Sequence, residues 1–279
     1  MRHLLLKNHQ IKNVLVYFVL LIVSIISLFP IFWNILASFK HTTDIFLIPP
    51  VWIFKPTLEN YIAVFERQPF LKYMFNSFIT AGVATLLSTV LGILAGYSFA
   101  RFRFPGKNIL FFGILITRMF PLMAILIPLY IQFWKYNMLD THMALILVYT
   151  ARCVGYATWM MEGIFLTIPR EMEESAMIDG CSRLGALIRV ILPIAKAGLA
   201  SFIILNYIYL WNDFLIAAIL TGNNARTLPV AITSFFAEFK FEWGPACAGS
   251  TIVMLPPIIM AFLFSRHIIK GMIMGAVKG

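Results

Sequence analysis

Charged side chains divide the chain into long apolar intervals, and the lengths of those intervals predict its elements. A membrane-crossing helix needs about 20 mostly apolar residues. No charge falls between Lys12 and Lys40, which predicts a first span near 14 to 37. Lys72 to Arg101 is a second clean interval, with a span near 75 to 99. A third span, near 108 to 132, is interrupted by Arg118, Pro121 and Pro128, and a fourth, near 142 to 166, contains Arg152 and Glu162. From Lys196 the chain is apolar to about Leu220 apart from Asp213, and a last clean interval runs from Trp243 to Ser265. The pattern predicts an all-α polytopic membrane protein with six transmembrane helices. It comprises a tail at 1–13, a membrane domain at 14–266 and a second tail at 267–279.

Composition agrees with this pattern. Hydrophobic residues make up 61% of the 279 and charged residues only 12%, about half the charged fraction of a soluble chain, so an ordinary soluble or disordered domain is excluded. The 22 Lys and Arg against 12 Asp and Glu give +10. In a soluble protein that excess suggests nucleic acid; among membrane spans it is what basic cytoplasmic loops produce, and no nucleic-acid partner is expected. Cys153, Cys181 and Cys247 are too far apart for a disulfide framework or a zinc site and are expected to be packing residues.

The first apolar run is too long for a cleaved signal peptide and no small-residue cleavage site follows it, so it is expected to stay in the protein. Lys and Arg in short connections set orientation. Arg2, Lys7 and Lys12 precede the first span; Arg101, Arg103 and Lys107 fill the second connection. Arg170, Arg183, Arg189 and Lys196 lie in the fourth, and Arg266, Lys270 and Lys278 close the chain. Alternate connections are basic, which places both termini in the cytoplasm. The outer connections are less biased: 39–73 carries Lys40, Lys55, Arg67 and Lys72 against Asp44, Glu59 and Glu66, and 222–242 carries Arg226 and Lys240 against Glu238 and Glu242.

One connection differs from the rest. Residues 167–196, about 30 in all, read Thr-Ile-Pro-Arg-Glu-Met-Glu-Glu-Ser-Ala-Met-Ile-Asp-Gly before a second amphipathic stretch. Pro169 suits the first helical position, Glu171, Glu173 and Glu174 complement a helix N-terminus, and Gly180 sits where a left-handed stop is wanted, which predicts a helix near 169–179. Ser182 is placed to cap a second helix with Leu184, Leu187, Ile188 and Ile191 on one face and Pro193 as its breaker. The first of these helices is too polar for lipid. On the residues alone, such a helix-turn-helix fits either docking into a groove on another protein or lying as a connector at the headgroups.

Glu174-Ser175-Ala176, three residues, Gly180, nine residues, then Val190-x-Leu192-Pro193 resembles the EAA motif of membrane subunits of binding-protein-dependent ABC importers, E-A-A-x3-G-x9-I-x-L-P. Ser175 for Ala and Val190 for Ile are the two departures. Asn76-Ser77, Tyr97-x-Phe99-Ala100-Arg101 with Pro105-Gly106, Arg118-Met-Phe-Pro121 with Ile127-Pro-Leu-Tyr130, Trp211-Asn-Asp-Phe214 and the ending Gly275 to Gly279 are similar to its carbohydrate-importing branch, the maltose-permease G-type subunits. The resemblance covers nearly the whole chain. It implies a type I ABC importer transmembrane domain in a bacterial or archaeal cell (inner) membrane, working by alternating access in a sugar importer. Its implied partners are a second, homologous permease, an ABC ATPase dimer, an extracytoplasmic sugar-binding protein and membrane lipid. Glu174, Ser175, Ala176, Asp179, Gly180, Val190, Leu192 and Pro193 are then the ATPase-coupling residues, with Gly180 permitting the sharp turn. No cofactor is expected on this chain; ATP and Mg belong to the ATPase. The sequence independently lacks a G-x4-G-K-[ST] phosphate loop, since Gly106-Lys107 is followed by Asn108 and has no upstream glycine.

Intramembrane charges are functional candidates by default. Arg118 and Arg152 fall near the middles of their spans and are candidates for lining the substrate path, with structural pairing to Glu162 and Asp213 the competing role. Two such arginines suit an anionic sugar better than a neutral one. Trp211, Asn212 and Asp213 combine aromatic, amide and carboxylate groups that could hold a sugar by stacking and hydrogen bonds, or form an interfacial belt. Prolines at 121, 128, 256 and 257 are expected to break or kink their helices. An ion-driven transporter or channel would account for the spans and buried charges but not for the 167–196 loop, and no internal repeat is visible. Catalytic metal or serine-hydrolase motifs do not occur, and His3, His9, His41, His142 and His267 do not cluster, so no enzymatic role is expected.

Overall fold

The computed structural model describes the backbone of residues 2–237 and 240–276 and the side chains of 13–236 and 242–265. Glu238 and the closing residues Val277, Lys278 and Gly279 of the expected tail lie outside the described residues. The main helices are α1 (Arg2–Ser38), α2 (Glu59–Arg67), α3 (Phe70–Arg101), α4 (Lys107–Ile116), α5 (Leu122–Lys135), α6 (His142–Leu166), α7 (Arg170–Ile178), α8 (Arg183–Ala186), α9 (Leu192–Trp211), α10 (Leu215–Leu220) and α11 (Trp243–Ala276). Among the described residues the only strands are Phe236–Ala237 and Lys240–Phe241, paired antiparallel.

Among the described residues, five helical stretches are long and apolar enough to cross a membrane: Asn13–Ser38, Phe70–Arg101, His142–Leu166, Arg183–Trp211 and Trp243–Ser265. The fourth expected span coincides with α6, whose start is set by Thr141 accepting from the Ala144 amide at 3.2 Å. The third expected span is two shorter helices, α4 and α5, rather than one. The break follows from Pro121, which takes an extended conformation and pushes the residue before it out of the helical region. The fifth span ends at Trp211, short of the expected Leu220, because the Asp213 carboxylate accepts from the amides of Ile216 and Ala217 and starts α10 anew. Prolines 128, 256 and 257 stay inside their helices.

The chain divides into two compact units. In the unit of Met1–Gln68 and Ile232–Ile252, α1 exposes its apolar side chains from Val14 to Phe29 and becomes buried at its end. There Lys40, only 2% exposed, donates to the Val51 carbonyl at 2.6 Å and lies over the rings of Trp33 and Phe54. The amide of Asn60 donates to the carbonyls of Ser38 and Lys40, satisfying backbone groups that the end of α1 leaves open. Asn34 donates to the Cys247 carbonyl and the Thr251 hydroxyl, joining α1 to the start of α11.

In the unit of Pro69–Ala231 and Val253–Gly279, the dominant packing is α3 against α6. Glycine makes it possible: a Cβ on Gly96 would lie 2.6 Å from Met161 Cβ and 2.8 Å from the Glu162 nitrogen, and one on Gly92 would strike Ala157. Small residues allow close backbone approach where lipid supplies no hydrophobic drive between helices. One core layer groups Ala84, Leu126, Leu145, Tyr149, Ile216 and Ala217, and a second groups Tyr97, Ala157, Met161, Phe165, Leu187 and Phe202. Asn206 of α9 donates to Ser88 of α3 at 3.1 Å within this core.

At one end of the α3–α6 pair the segment 222–228 is sewn down by side chains. Asp140 accepts from the amides of Gly222, Asn224 and Ala225, and Asn76 donates to the carbonyls of Asn224 and Arg226. The Leu228 amide donates to Ser77 at 2.8 Å, so the Asn76-Ser77 pair, two turns into α3, anchors this loop.

Candidate functional site

The other end of the same pair carries the 167–196 segment. α7 spans Arg170–Ile178, with Pro169 just ahead of it and Asp179 closing it. Gly180 takes φ +90, a left-handed conformation, and the amides of Gly180 and Cys181 return to the carbonyls of Met177 and Ala176. Ser182 accepts from the Gly185 amide at 3.1 Å and caps the next turn, as its position predicts.

Pro193 does not stop this second helix. Residues Leu187–Ile191 form a π-helical turn, in which the Leu192 amide reaches back five residues to Leu187. The wider turn absorbs the missing amide and bulk of Pro193, and α9 continues through it. Leu187 and Ile191 are buried while Leu184 and Ile188 are exposed, so only half of the expected apolar face packs inward.

Glu173 is the residue that seats α7. It is buried, pairs with Arg101 at 2.8 Å and accepts from the Tyr97 hydroxyl. Arg101 also donates to the Ile168 carbonyl at 3.0 Å, and Arg170 donates to the Ala100 carbonyl at 3.2 Å. The end of α3 is thereby held to both sides of the loop. The sequence assigns Glu173 only a favourable place at a helix start, and Arg101 a part in orientation and in the family resemblance but no partner. The available signal was that Tyr97 and Arg101, at i, i+4, lie on one face of α3 and can meet a single acidic partner.

Of the residues expected in the loop site, Glu174, Ser175, Asp179, Gly180 and Pro193 are exposed, Val190 and Leu192 are half-buried, and Ala176 is buried. Ile178 is 86% exposed and Met172 also stands out, which gives the polar helix an outward face with two apolar side chains on it.

The candidate path residues separate into two groups. Arg118, at the break between α4 and α5, and Arg152, in the middle of α6, line the same cavity of about 500 Å³, whose other walls include Leu122, Leu126, Phe133 and Val148. The Arg118 guanidinium lies over the Tyr156 ring at 4.9 Å and that of Arg152 over Tyr209 at 5.6 Å. Neither forms a salt bridge with Glu162 or Asp213 within 4 Å. Trp211, Asn212 and Asp213 are engaged elsewhere. Trp211 is 1% exposed, donates to the Val253 carbonyl at 3.1 Å and packs edge-on against Phe78, so no face is open for a sugar. Asn212 donates to the Ile208 carbonyl at 2.8 Å. Asp213 accepts from the Tyr149 hydroxyl at 3.0 Å besides the two amides of α10.

Long apolar helices, a close glycine-mediated helix pair and a polar loop helix seated by a buried ion pair define a multi-pass membrane protein. Residues 88–274 match the model of the binding-protein-dependent transport system inner membrane component, and the chain belongs to that family. It is 35% identical over 255 residues to the sulfoquinovosyl glycerol transport system permease protein of Agrobacterium fabrum, covering 91% of this chain and 90% of that one. It is 34% identical over 278 residues to the trehalose/maltose transport system permease protein of Thermococcus litoralis, covering 98% and 100%. In fold it is similar to a chain of a bacterial ABC transporter that imports the acidic polysaccharide alginate, with a TM-score of 0.76, 20% identity, and coverage of 92% and 96%. The chain is therefore a permease, a translocation component of a binding-protein-dependent importer and not an enzyme. Family membership also sets aside the ion-driven transporter.

Proposed function

We propose that this chain is one of two permease subunits of an ATP-driven sugar importer in the cell inner membrane, with both termini in the cytoplasm. The second permease is homologous, an ABC ATPase dimer binds on the cytoplasmic side with its ATP and Mg, and an extracytoplasmic sugar-binding protein delivers the solute. Glu174, Ser175, Ala176, Asp179 and Gly180 form the coupling element, and Val190, Leu192 and Pro193 carry its motion into α9.

The observation that carries this reading is the two-sided character of α7. Its inner face is locked to α3 through Glu173 and Arg101, while its outer face presents Glu174, Ser175 and the apolar Met172 and Ile178. A short rigid helix with a satisfied back and an unpartnered amphipathic front suits insertion into a groove of another protein. Sugar as the solute is supported by the permeases for sulfoquinovosyl glycerol and for trehalose and maltose to which the chain is similar. ATP-driven closure of the ATPase dimer then moves α7, and the helices rigidly attached to it switch the cavity between the two sides.

The test is ATP hydrolysis by the purified complex of this chain with its partner subunits, with and without binding protein and a sugar panel, in wild type and in a Glu174→Arg, Gly180→Trp double variant. Substrate-stimulated hydrolysis in wild type that is lost in the variant is the expected result. Hydrolysis indifferent to the variant in an intact complex overturns the coupling role.

A further inference from the structure

The cavity between α5 and α6 has an unusual wall. Most of it is aliphatic or aromatic, yet two guanidinium groups line it, one from the break at 117–121 and one from mid-helix. A charge within a membrane segment is costly unless an acceptor or a counter-charge meets it. Here each guanidinium rests on an aromatic face, which accounts for part of its environment and leaves its in-plane donors free to turn toward a ligand. Nη1 of Arg152 is buried and has no hydrogen-bond acceptor. A buried donor without an acceptor is among the most costly features a folded chain can keep, and an oxygen placed against it gains correspondingly.

Counting charge narrows the ligand. Of the acidic side chains packed around these elements, Asp213 interacts electrostatically with Arg152, and its Oδ1 is already occupied by Tyr149 and the start of α10. Two arginines against one carboxylate leave a single positive charge. Planar guanidinium groups match the paired oxygens of a carboxylate or sulfonate, and the apolar remainder of the cavity suits the carbon face of a sugar ring.

We propose that this cavity is a subsite for the acid group of an anionic saccharide, a uronate or a sulfonated sugar, held between Arg118 and Arg152. The proposal rests on the permease reading and adds the chemical class of the solute to it. It places the selecting charges at the helix break, where they meet the solute as it passes the middle of the membrane unit.

The experiment uses the wild-type assembled importer in phosphatidylcholine nanodiscs, so that no variant has to fold. Phenylglyoxal modifies accessible arginines, and peptide mass spectrometry reads the extent at Arg118 and Arg152, with Arg183 and Arg189 of the 167–196 loop as internal controls. Sodium glucuronate is expected to protect Arg118 and Arg152 several-fold while glucose at the same concentration does not, with the controls unchanged. Equal protection by glucose and glucuronate, or by neither, overturns the proposal. Protection that appears without sugar when phosphatidylglycerol replaces phosphatidylcholine also overturns it, by assigning the site to a lipid phosphate. ATP hydrolysis stimulated by sugar-loaded binding protein in the same preparation reports on the permease reading separately, so failure of the subsite leaves that reading standing.

Discussion

Arg101 and Glu173 form an ion pair at 2.8 Å with both side chains only 5% exposed, and it joins the last residue of α3 to the polar helix α7. Removing one partner leaves the other charged and buried, which costs about 3–5 kcal/mol. Glu173→Ala is expected to lower the thermal midpoint of the purified chain and to abolish transport. Glu173→Ala combined with Arg101→Met, which removes both charges, is expected to recover much of the thermal stability but little transport. Thermal unfolding in detergent and uptake assays together check this.

Gly180 is constrained differently. A Cβ there would meet nothing within 4 Å, so a side chain is opposed only by the left-handed backbone, at about 1–2 kcal/mol. Gly180→Val is expected to leave the amount of chain in the membrane near wild type while uptake falls severely, and Gly180→Asn to be milder. Immunoblots of membrane fractions beside uptake rates would separate the two effects.

Asp140 predicts a pH dependence. Burial opposes its charge, but the amides of Ala225, Asn224 and Gly222 outweigh that and hold the carboxyl below its ordinary value of 3.8. A carboxyl lowered on folding contributes stability that is complete above its unfolded value and is lost as pH falls through the folded value. Hydrogen exchange at the amides of Asn224 and Ala225 should therefore stay slow, relative to the intrinsic rate, from neutral pH down to about 4. It should lose that protection on further acidification. Asp140→Asn is expected to weaken the protection at all pH values and to remove the acid transition.

Gly96 tests the helix pair. Its neighbours on α6 include backbone, which cannot rotate away, so Gly96→Ala is expected to cost about 1–3 kcal/mol through overpacking and Gly96→Leu to prevent accumulation of folded chain. The size-exclusion profile and thermal midpoint of each variant provide the measurement.

Trp211→Phe keeps a ring against Phe78 and loses the hydrogen bond to Val253. A modest drop in stability of about 1 kcal/mol is expected, with unchanged ranking of competing sugars in an uptake assay. A changed ranking would return Trp211 to the substrate path.

Much of this fold could be read from charge spacing because lipid enforces long uncharged intervals, as α6 and the apolar part of α1 illustrate. Interval length could not reveal interruption within an interval. At 117–121 the chain stays apolar enough to span, yet Pro121 divides the helix, whereas Pro193 yields to a π-helical turn because the neighbouring turn can widen. The local conformation of the 167–196 loop was legible at Gly180 and Ser182, where backbone conformation and capping decide it. Glu173 was not, since its importance comes from Arg101 and Tyr97, more than 70 residues away in sequence. Trp211 misled for a related reason: aromatic and amide neighbours fit sugar binding, and only tertiary packing turns the indole inward.

α3 and α6 are fastened at both ends, by the Glu173 pair at one and by Asp140, Asn76 and Ser77 gripping 222–228 at the other, with Gly92 and Gly96 closing the space between them. A 32-residue helix is roughly 48 Å long at 1.5 Å per residue. Braced against the 25-residue α6, it resists bending far better than tilting. α7 and the 222–228 loop therefore sit at opposite ends of one braced pair, and a displacement of either is expected to be carried along it to the other.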